Sequence, residues 1–122
     1  MDELIARLVA NVGVDRTTAE KSVGIILDFL VKDGPADKVK PLIDKLPGAQ
    51  ALIDAQQASD TGGGMFAMGG LMGAGTKLMG AGLSMGQVQA VTKEVIAYSR
   101  EKAGEDAVGE IVGAIPGLSQ FV

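Results

Sequence analysis

Residues 14–53 read VDRTTAEKSVGIILDFLVKDGPADKVKPLIDKLPGAQALI, and their pattern returns at residues 83–122, which read LSMGQVQAVTKEVIAYSREKAGEDAVGEIVGAIPGLSQFV. The two stretches align without a gap at an offset of 69 residues (83 − 14). Few positions are identical, but apolar positions align with apolar positions: Ile26 with Val95, Leu27 with Ile96, Phe29 with Tyr98, Leu42 with Ile111, Ile43 with Val112 and Leu46 with Ile115. Internal similarity of this kind predicts that one helical unit occurs twice in the fold.

Capping residues mark the start of a long helix in each stretch. Asp15 is a suitable N-cap in the first stretch, although Thr17 with Glu20 three residues later also fits a capping box. Ser84 stands at the aligned position in the second stretch, and Gln87 three residues later completes a capping box. We therefore expect a long helix to begin close to each of these positions.

Apolar residues at intervals of three and four predict the other helices. The predicted ranges are residues 2–12, about 37–46, 49–55 and, as a weaker copy of the first, about 71–80. Proline–glycine pairs at residues 47–48 and 116–117 are expected to interrupt the short helices. The sequence thus predicts an all-α fold of about five to seven helices in a single domain over residues 1–122, with a Gly/Met-rich connecting segment at residues 56–82.

The composition restricts the chemistry that is open to the chain. It has no cysteine and no histidine, which removes disulfides, thiolate and imidazole metal ligands and the commonest general base. The net charge of −4 arises from interspersed acids and bases rather than from a basic cluster, so nucleic acid is not expected as a partner. The longest uncharged run, residues 61–76, is shorter than the about 20 apolar residues of a membrane span. We expect a cytoplasmic protein without a cofactor or a metal.

Motifs of catalytic chemistry are weak. Residues 70–77, GLMGAGTK, approach a phosphate-binding loop, but their Thr and Lys stand in the reverse order and no strand precedes them. Carboxylates are adjacent at residues 2–3 and 105–106, where predicted helix starts favour acids. The serines have no histidine partner. We therefore expect a protein that is not an enzyme; an enzyme using carboxylates, Lys and Ser, and a helix-turn-helix DNA-binding protein, remain alternatives.

Methionine is concentrated in one part of the chain. Apart from Met1, every methionine lies between residues 65 and 85. Methionine is flexible and polarizable, and it is over-used at surfaces that bind several partners. The candidate contact surface comprises Met65, Phe66, Met68, Leu71, Met72, Leu78 and Met79. These side chains are expected either to fill the seam between the two units or to bind another molecule.

Four parts of the sequence resemble an uncharacterised bacterial helical family, domain of unknown function 2780. They are VGVDRTTAEKSV at 12–23, LPGAQALI at 46–53, the Gly-rich middle, and AGLSMGQVQAVTKEVIAYSREKAGEDAVGEI at 81–111. The chain is more distantly similar to domain of unknown function 2267. The resemblance covers nearly the whole chain and implies a helical repeat, but it implies no functional residue. Members of the first family often carry an export signal, whereas this chain begins MDELIARL, which lacks the apolar run of such a signal.

Taken together, these features predict a non-enzymatic helical module for protein interaction or self-association. Its partner would be another protein or a second copy of the chain in a homodimer. The alternative is peripheral membrane or small-lipid binding through the Gly/Met-rich segment, because exposed apolar strips usually mark a contact surface.

Overall fold

The fold is built from helices throughout the part of the chain that the structure describes. The structure is a computed structural model, and it describes residues 2–59, 70–115 and 117–120. The elements are α1 (Asp2–Asn11), α2 (Arg16–Asp33), α3 (Ala36–Asp44), α4 (Ala49–Ser59), α5 (Gly70–Gly80), α6 (Met85–Ala103), α7 (Glu105–Ala114) and a 3₁₀ turn at Leu118–Gln120. No strand occurs among these residues. The predicted all-α class is therefore confirmed.

Side-chain caps begin the two long helices. Asp15 accepts a hydrogen bond from the backbone N–H of Thr18 at 2.7 Å, so the first long helix starts at Asp15 rather than at Thr17. The hydroxyl and the N–H of Thr18 hold the pKa of Asp15 below its usual value. The predicted capping box is present at Ser84, whose hydroxyl accepts from the Gln87 N–H at 3.3 Å and whose N–H donates to the Gln87 side chain at 3.0 Å. These bonds satisfy N–H groups that have no partner within the helix.

α3 begins slightly earlier than the spacing predicts. Its first residue is Ala36 and its N-cap is Pro35, so Pro41 lies inside the helix rather than near its first turn. Proline has no N–H and removes one hydrogen bond of the helix. Burial of one apolar face of α3 compensates for that loss, and this face comprises Val39, Leu42 and Ile43.

α2 is the central helix, and it packs against α1, α3, α4, α5 and α6. Every residue from 22 to 30 is buried, so other helices surround α2 instead of covering a single apolar stripe. Its apolar spacing predicts a narrower buried face that does not include Ser22, Gly24 and Asp28. The residues of that predicted face are Ala19, Val23, Ile26, Leu27 and Leu30, with Ile25 and Phe29 at its edges. Ser22 is tolerated in the core because its hydroxyl donates to the Thr18 carbonyl at 2.7 Å, within the same helix.

α4 extends beyond its predicted end because it lies directly against α2. The spacing predicts a helix only to residue 55, but α4 continues to Ser59. Where the helices cross, a Cβ atom on Gly24 would lie 2.8 Å from the backbone carbonyl oxygen of Leu52. Glycine therefore permits this close approach. The adjacent Gln56 is buried. Contact with α2 therefore makes the polar end of α4 helical, although the sequence of that stretch predicts a linker.

Ion pairs join helices that are distant in the sequence. Lys38 of α3 pairs with Glu110 of α7 at 2.9 Å, and its hydrogen bond to Glu110 raises the pKa of Lys38. Arg7 of α1 pairs with Glu101 of α6 at 2.7 Å, and this hydrogen bond raises the pKa of Arg7. The buried Tyr98 ring lies beside the second pair, with the Arg7 guanidinium 5.9 Å from its centroid. These contacts tie α1 to α6 and α3 to α7.

Candidate functional site

The structure describes only part of the predicted methionine-rich contact surface. Met65, Phe66 and Met68 lie outside the described residues. Leu71 and Met72 lie on α5, but their side chains are not described. Leu78 is buried in the core, whereas Met79 is about half exposed at 50%. The two adjacent residues therefore have different environments, and only Met79 offers an apolar surface to another molecule.

A second exposed methionine lies close to Met79 in the sequence. Met85, the first residue of α6, is 58% exposed. Only four residues, 81–84, separate the end of α5 from the start of α6. Large apolar side chains that are exposed singly are ordinary on soluble proteins, but neighbouring ones indicate a contact surface. Met79 and Met85 are thus the described part of the methionine-rich region that remains accessible.

One concave feature of the described surface is a groove between the end of α2, α3 and α4. We call it the α3–α4 groove; its volume is about 350 Å³, within the range of about 300 to 1,000 Å³ that is common for binding sites. Its lining residues are Val31 of α2, Ala36, Val39, Lys40, Ile43 and Asp44 of α3, and Gln50, Ile53 and Gln57 of α4. The floor is apolar and the rim is polar.

Val31 supplies the accessible apolar surface of the groove. Its exposed fraction is 38%, whereas Val39 and Ile53 are almost fully buried. Val31 lies near the end of α2, beyond the run of enclosed residues. An apolar group that enters the groove would therefore displace water mainly from Val31, and burial of that surface would favour binding.

A buried carboxylate fixes the α4 side of the groove. Asp28 of α2 has a side chain that is only 3% exposed, and Lys32 pairs with it at 3.0 Å. The Gln57 side-chain amide donates to the other carboxylate oxygen of Asp28 at 3.0 Å. A buried charge is costly unless it is paired and hydrogen-bonded, and these two contacts meet that need. Gln57 is consequently held in position at the rim.

The charges of the α3 rim have no partner in the described part of the chain. Lys40 and Asp44 are exposed, and neither side chain makes a hydrogen bond or an ion pair with another described residue. Lys38, on the same helix, is engaged by Glu110. The rim therefore offers one cation and one anion, separated by one helical turn, to an incoming molecule.

The sequence did not reveal the groove, although one signal was present. The spacing of Val39 and Ile43 predicts only that they are core residues. The predicted range of α4, the helix that closes the groove, is too short. Lys40 and Asp44 share a helix face at a spacing of four residues, but such a pair usually indicates only a solvated face. The concave surface depends on the α2–α4 crossing, which is a tertiary contact.

The residues that approach catalytic motifs in the sequence lie within helices where the structure describes them. Residues 70–77 are helical rather than a loop around a phosphate. The paired carboxylates lie in the first turns of α1 and α7, where acids are favoured by the helix dipole. The Ser99 hydroxyl donates to the Val95 carbonyl at 2.8 Å. Among the described residues, no three carboxylates converge in a way that would hold a metal ion.

No protein-family model matches the sequence, and no curated protein or solved structure matches the chain. The resemblance to domains of unknown function 2780 and 2267 therefore stays a prediction. No described helix is both long enough and apolar enough to cross a bilayer.

Proposed function

We propose that this chain is a non-enzymatic helical interaction module that binds a protein partner in the α3–α4 groove. The observation that carries the proposal is the unpaired Lys40 and Asp44 on the rim, above the accessible surface of Val31. Grooves between helices bind amphipathic helices, which insert apolar side chains at intervals of three and four residues. A partner helix with one apolar anchor and one charge of each sign would match the groove.

Contacts that attach both walls of the groove to other helices support a binding role. The Asp28–Gln57 hydrogen bond at 3.0 Å joins α2 to α4, and the Lys38–Glu110 pair at 2.9 Å joins α3 to α7. Both walls are thus attached to the rest of the fold. A preformed site costs less ordering entropy on binding than a mobile one. The groove is therefore suited to a partner segment that becomes ordered when it binds.

Site-directed photo-cross-linking tests this proposal. A photoreactive amino acid replaces Gln50, which lines the groove and is exposed, or, as the control, the exposed Lys93 on α6. Lys40 and Asp44 are retained in both chains. In cells that express the chain from its own gene, we expect a discrete protein adduct from position 50 and none from position 93. Val31→Glu should abolish the adduct, because it places a charge in the apolar part of the groove. Equal labelling from both positions, or none from position 50, would refute the proposal.

We also propose that the fold contains a duplicated helical unit. α2 and α6 start at Arg16 and Met85, and α3 and α7 start at Ala36 and Glu105; both pairs differ by 69 residues (85 − 16 and 105 − 36). The N-caps of α2 and α6 have nearly the same dihedral angles, with ψ of 169° and 167°. Positive-φ glycines recur at the same offset: Gly13 with Gly82, and Gly48 with Gly117. Superposition of residues 16–44 on residues 85–113 tests this proposal, and unrelated backbones would contradict it.

A lipid surface is the second candidate partner, and the exposed Met79 and Met85 favour it. Apolar side chains that insert between lipid head groups would anchor the end of the Gly/Met-rich segment to a bilayer surface. Co-sedimentation with vesicles of zwitterionic and anionic lipids tests this. Binding should fall for the Met79→Glu, Met85→Glu double variant but not for Val9→Glu, which changes a similarly exposed apolar residue on α1. A chain that stays in the supernatant would exclude this candidate.

A further inference from the structure

Two charges on α3 are available to a partner outside the chain. Lys40 precedes Asp44 by four residues, and a base that precedes an acid at this spacing is the less favourable order for an ion pair within one helix. Arg16 and Glu20 do pair in this order at 3.6 Å, so the order alone does not prevent a pair, but Lys40 and Asp44 make none. Lys40 and Asp44 therefore remain available to charges on another molecule.

A second copy of α3 carries the complementary pattern. In a two-fold symmetric contact, residue i of one chain meets residue j of the other, and j meets i. If two α3 helices run antiparallel, Lys40 of each chain faces the partner's Asp44. We propose that the α3–α4 groove binds α3 of a second copy of this chain, so that two Lys40–Asp44 ion pairs form across the two-fold axis. This inference rests on the proposed function and names the partner of the same groove.

Apolar contact would supplement the ion pairs. Val31 and Ala36 line the groove beside Lys40, and an adjacent helix would cover the 38% of Val31 that is exposed. α3 has nine residues, which corresponds to a length of about 14 Å. A contact formed by one such helix and the neighbouring part of α4 would bury less surface than the about 800 Å² per partner of a standard stable interface. The dimer is therefore weak and reversible, and the two ion pairs set its register.

The second unit of the chain does not carry the same pattern. The positions of α7 that correspond to Lys40 and Asp44 at the offset of 69 residues are Gly109 and Gly113 (109 − 40 and 113 − 44). The position that corresponds to Val31 is Arg100. α7 therefore lacks the self-complementary pair of charges that α3 carries. An isologous contact of this kind closes at a dimer and does not propagate into a filament.

A charge-reversal experiment tests the pairing directly. Lys40→Asp gives a chain with two acids on the rim, and Asp44→Lys gives a chain with two bases. Each variant alone should dimerise at least tenfold more weakly than the wild-type chain, a loss of about 1.4 kcal/mol, because both ion pairs become repulsive contacts. An equimolar mixture of the two variants should form a heterodimer, because every acid then faces a base. Lys93→Asp, an equal charge change on the exposed side of α6, should leave dimerisation unchanged.

The size of the chain, 12.4 kDa, suits measurement by NMR. In the NMR experiment, isotope-labelled Lys40→Asp chain is titrated with unlabelled Asp44→Lys chain. Sedimentation equilibrium follows the wild-type chain up to about 1 mM, a concentration at which even a millimolar dissociation constant is detected. We expect chemical-shift changes confined to the end of α2, α3 and α4, and recovery of association in the mixture also shows that both variants fold. A wild-type chain that stays monomeric at this concentration overturns the inference, as does a Lys40→Asp variant that dimerises as the wild type does.

The two proposals fail in distinguishable ways. If the wild-type chain is monomeric but position 50 cross-links to a different protein, the second-copy inference is wrong and the groove is still an interaction surface. If the chain is monomeric and position 50 gives no adduct, both proposals are wrong. A cross-linked dimer of the chain itself from position 50 supports both.

Discussion

The close crossing of α2 and α4 predicts opposite effects for the same substitution at two helical glycines. In Gly24→Ala, the new Cβ would lie 2.8 Å from the Leu52 carbonyl oxygen, a backbone atom that cannot rotate away. In Gly109→Ala on α7, no atom lies within 4 Å of the new Cβ. Both substitutions gain helix propensity of about 1 kcal/mol. Only Gly24→Ala must also force two packed helices apart.

The expected changes in the free energy of unfolding follow from two effects, the gain in helix propensity and the cost of the close contact. Overpacking a core contact costs typically about 1 to 3 kcal/mol, and outward movement of α4 also strains the Gln57–Asp28 hydrogen bond at 3.0 Å. We expect Gly24→Ala to lower the free energy of unfolding by about 1 kcal/mol after the propensity gain is included. Gly109→Ala should raise it by about 0.5 to 1 kcal/mol.

Urea titration followed by far-UV circular dichroism measures both changes. The midpoint of Gly24→Ala should move to lower urea and that of Gly109→Ala to higher urea, with the slope of the transition unchanged. If Gly24→Ala stabilises the chain as much as Gly109→Ala does, α4 does not approach α2 as closely as the structure shows. The α4 wall of the groove would then be wrong as well.

The core and the helix caps give the remaining predictions. Leu27→Ala should destabilise the chain by about 2 to 5 kcal/mol, because it leaves a cavity in the fully buried part of α2; a loss below about 0.5 kcal/mol by denaturant titration would contradict this placement. Ser84→Ala should cost about 0.5 to 2 kcal/mol through loss of the capping box, and Ser84→Asp is the control that retains a cap. Since the folded state lowers the pKa of Asp15, this residue contributes stability above its ordinary pKa, and the contribution disappears as the pH falls through the folded-state pKa. Asp15→Asn should remove that part of the acid sensitivity, and unchanged pH dependence of unfolding would show that the cap is not formed.

Local signals in the sequence predict the helix starts well and the extent of burial less well. The caps act over three residues, so the sequence identifies Ser84 directly and limits the first cap to Asp15 or Thr17; the structure selects Asp15. The burial of α2 on all sides does not, because periodicity predicts one apolar face and gives no reason to bury Asp28. Its burial depends on Lys32 in the same helix and on Gln57, which is distant in the sequence.

The groove illustrates why a candidate site can be invisible in the sequence. Its rim charges lie on α3, one wall is α4, and its accessible apolar residue is Val31 on α2. These three helices meet through tertiary contacts, and Gly24 lets α4 approach α2 closely. The composition instead predicts a contact surface in the methionine-rich segment. Of the side chains in that surface that the structure describes, Leu78 is buried and Met79 is exposed.

Tyr98 gives the protein a built-in optical probe of a single interface. It is the only tyrosine in a chain without tryptophan. It lies buried in α6, with the Arg7 guanidinium of α1 at 5.9 Å and the Lys102 ammonium at 5.4 Å from its ring centroid. Tyrosine emission therefore comes from one position and responds when α1 separates from α6, whereas far-UV ellipticity averages over all helices. Coincident denaturation curves from the two signals would show that the α1–α6 contact is lost together with the rest of the fold. An earlier change in emission would identify α1 as the first helix to detach.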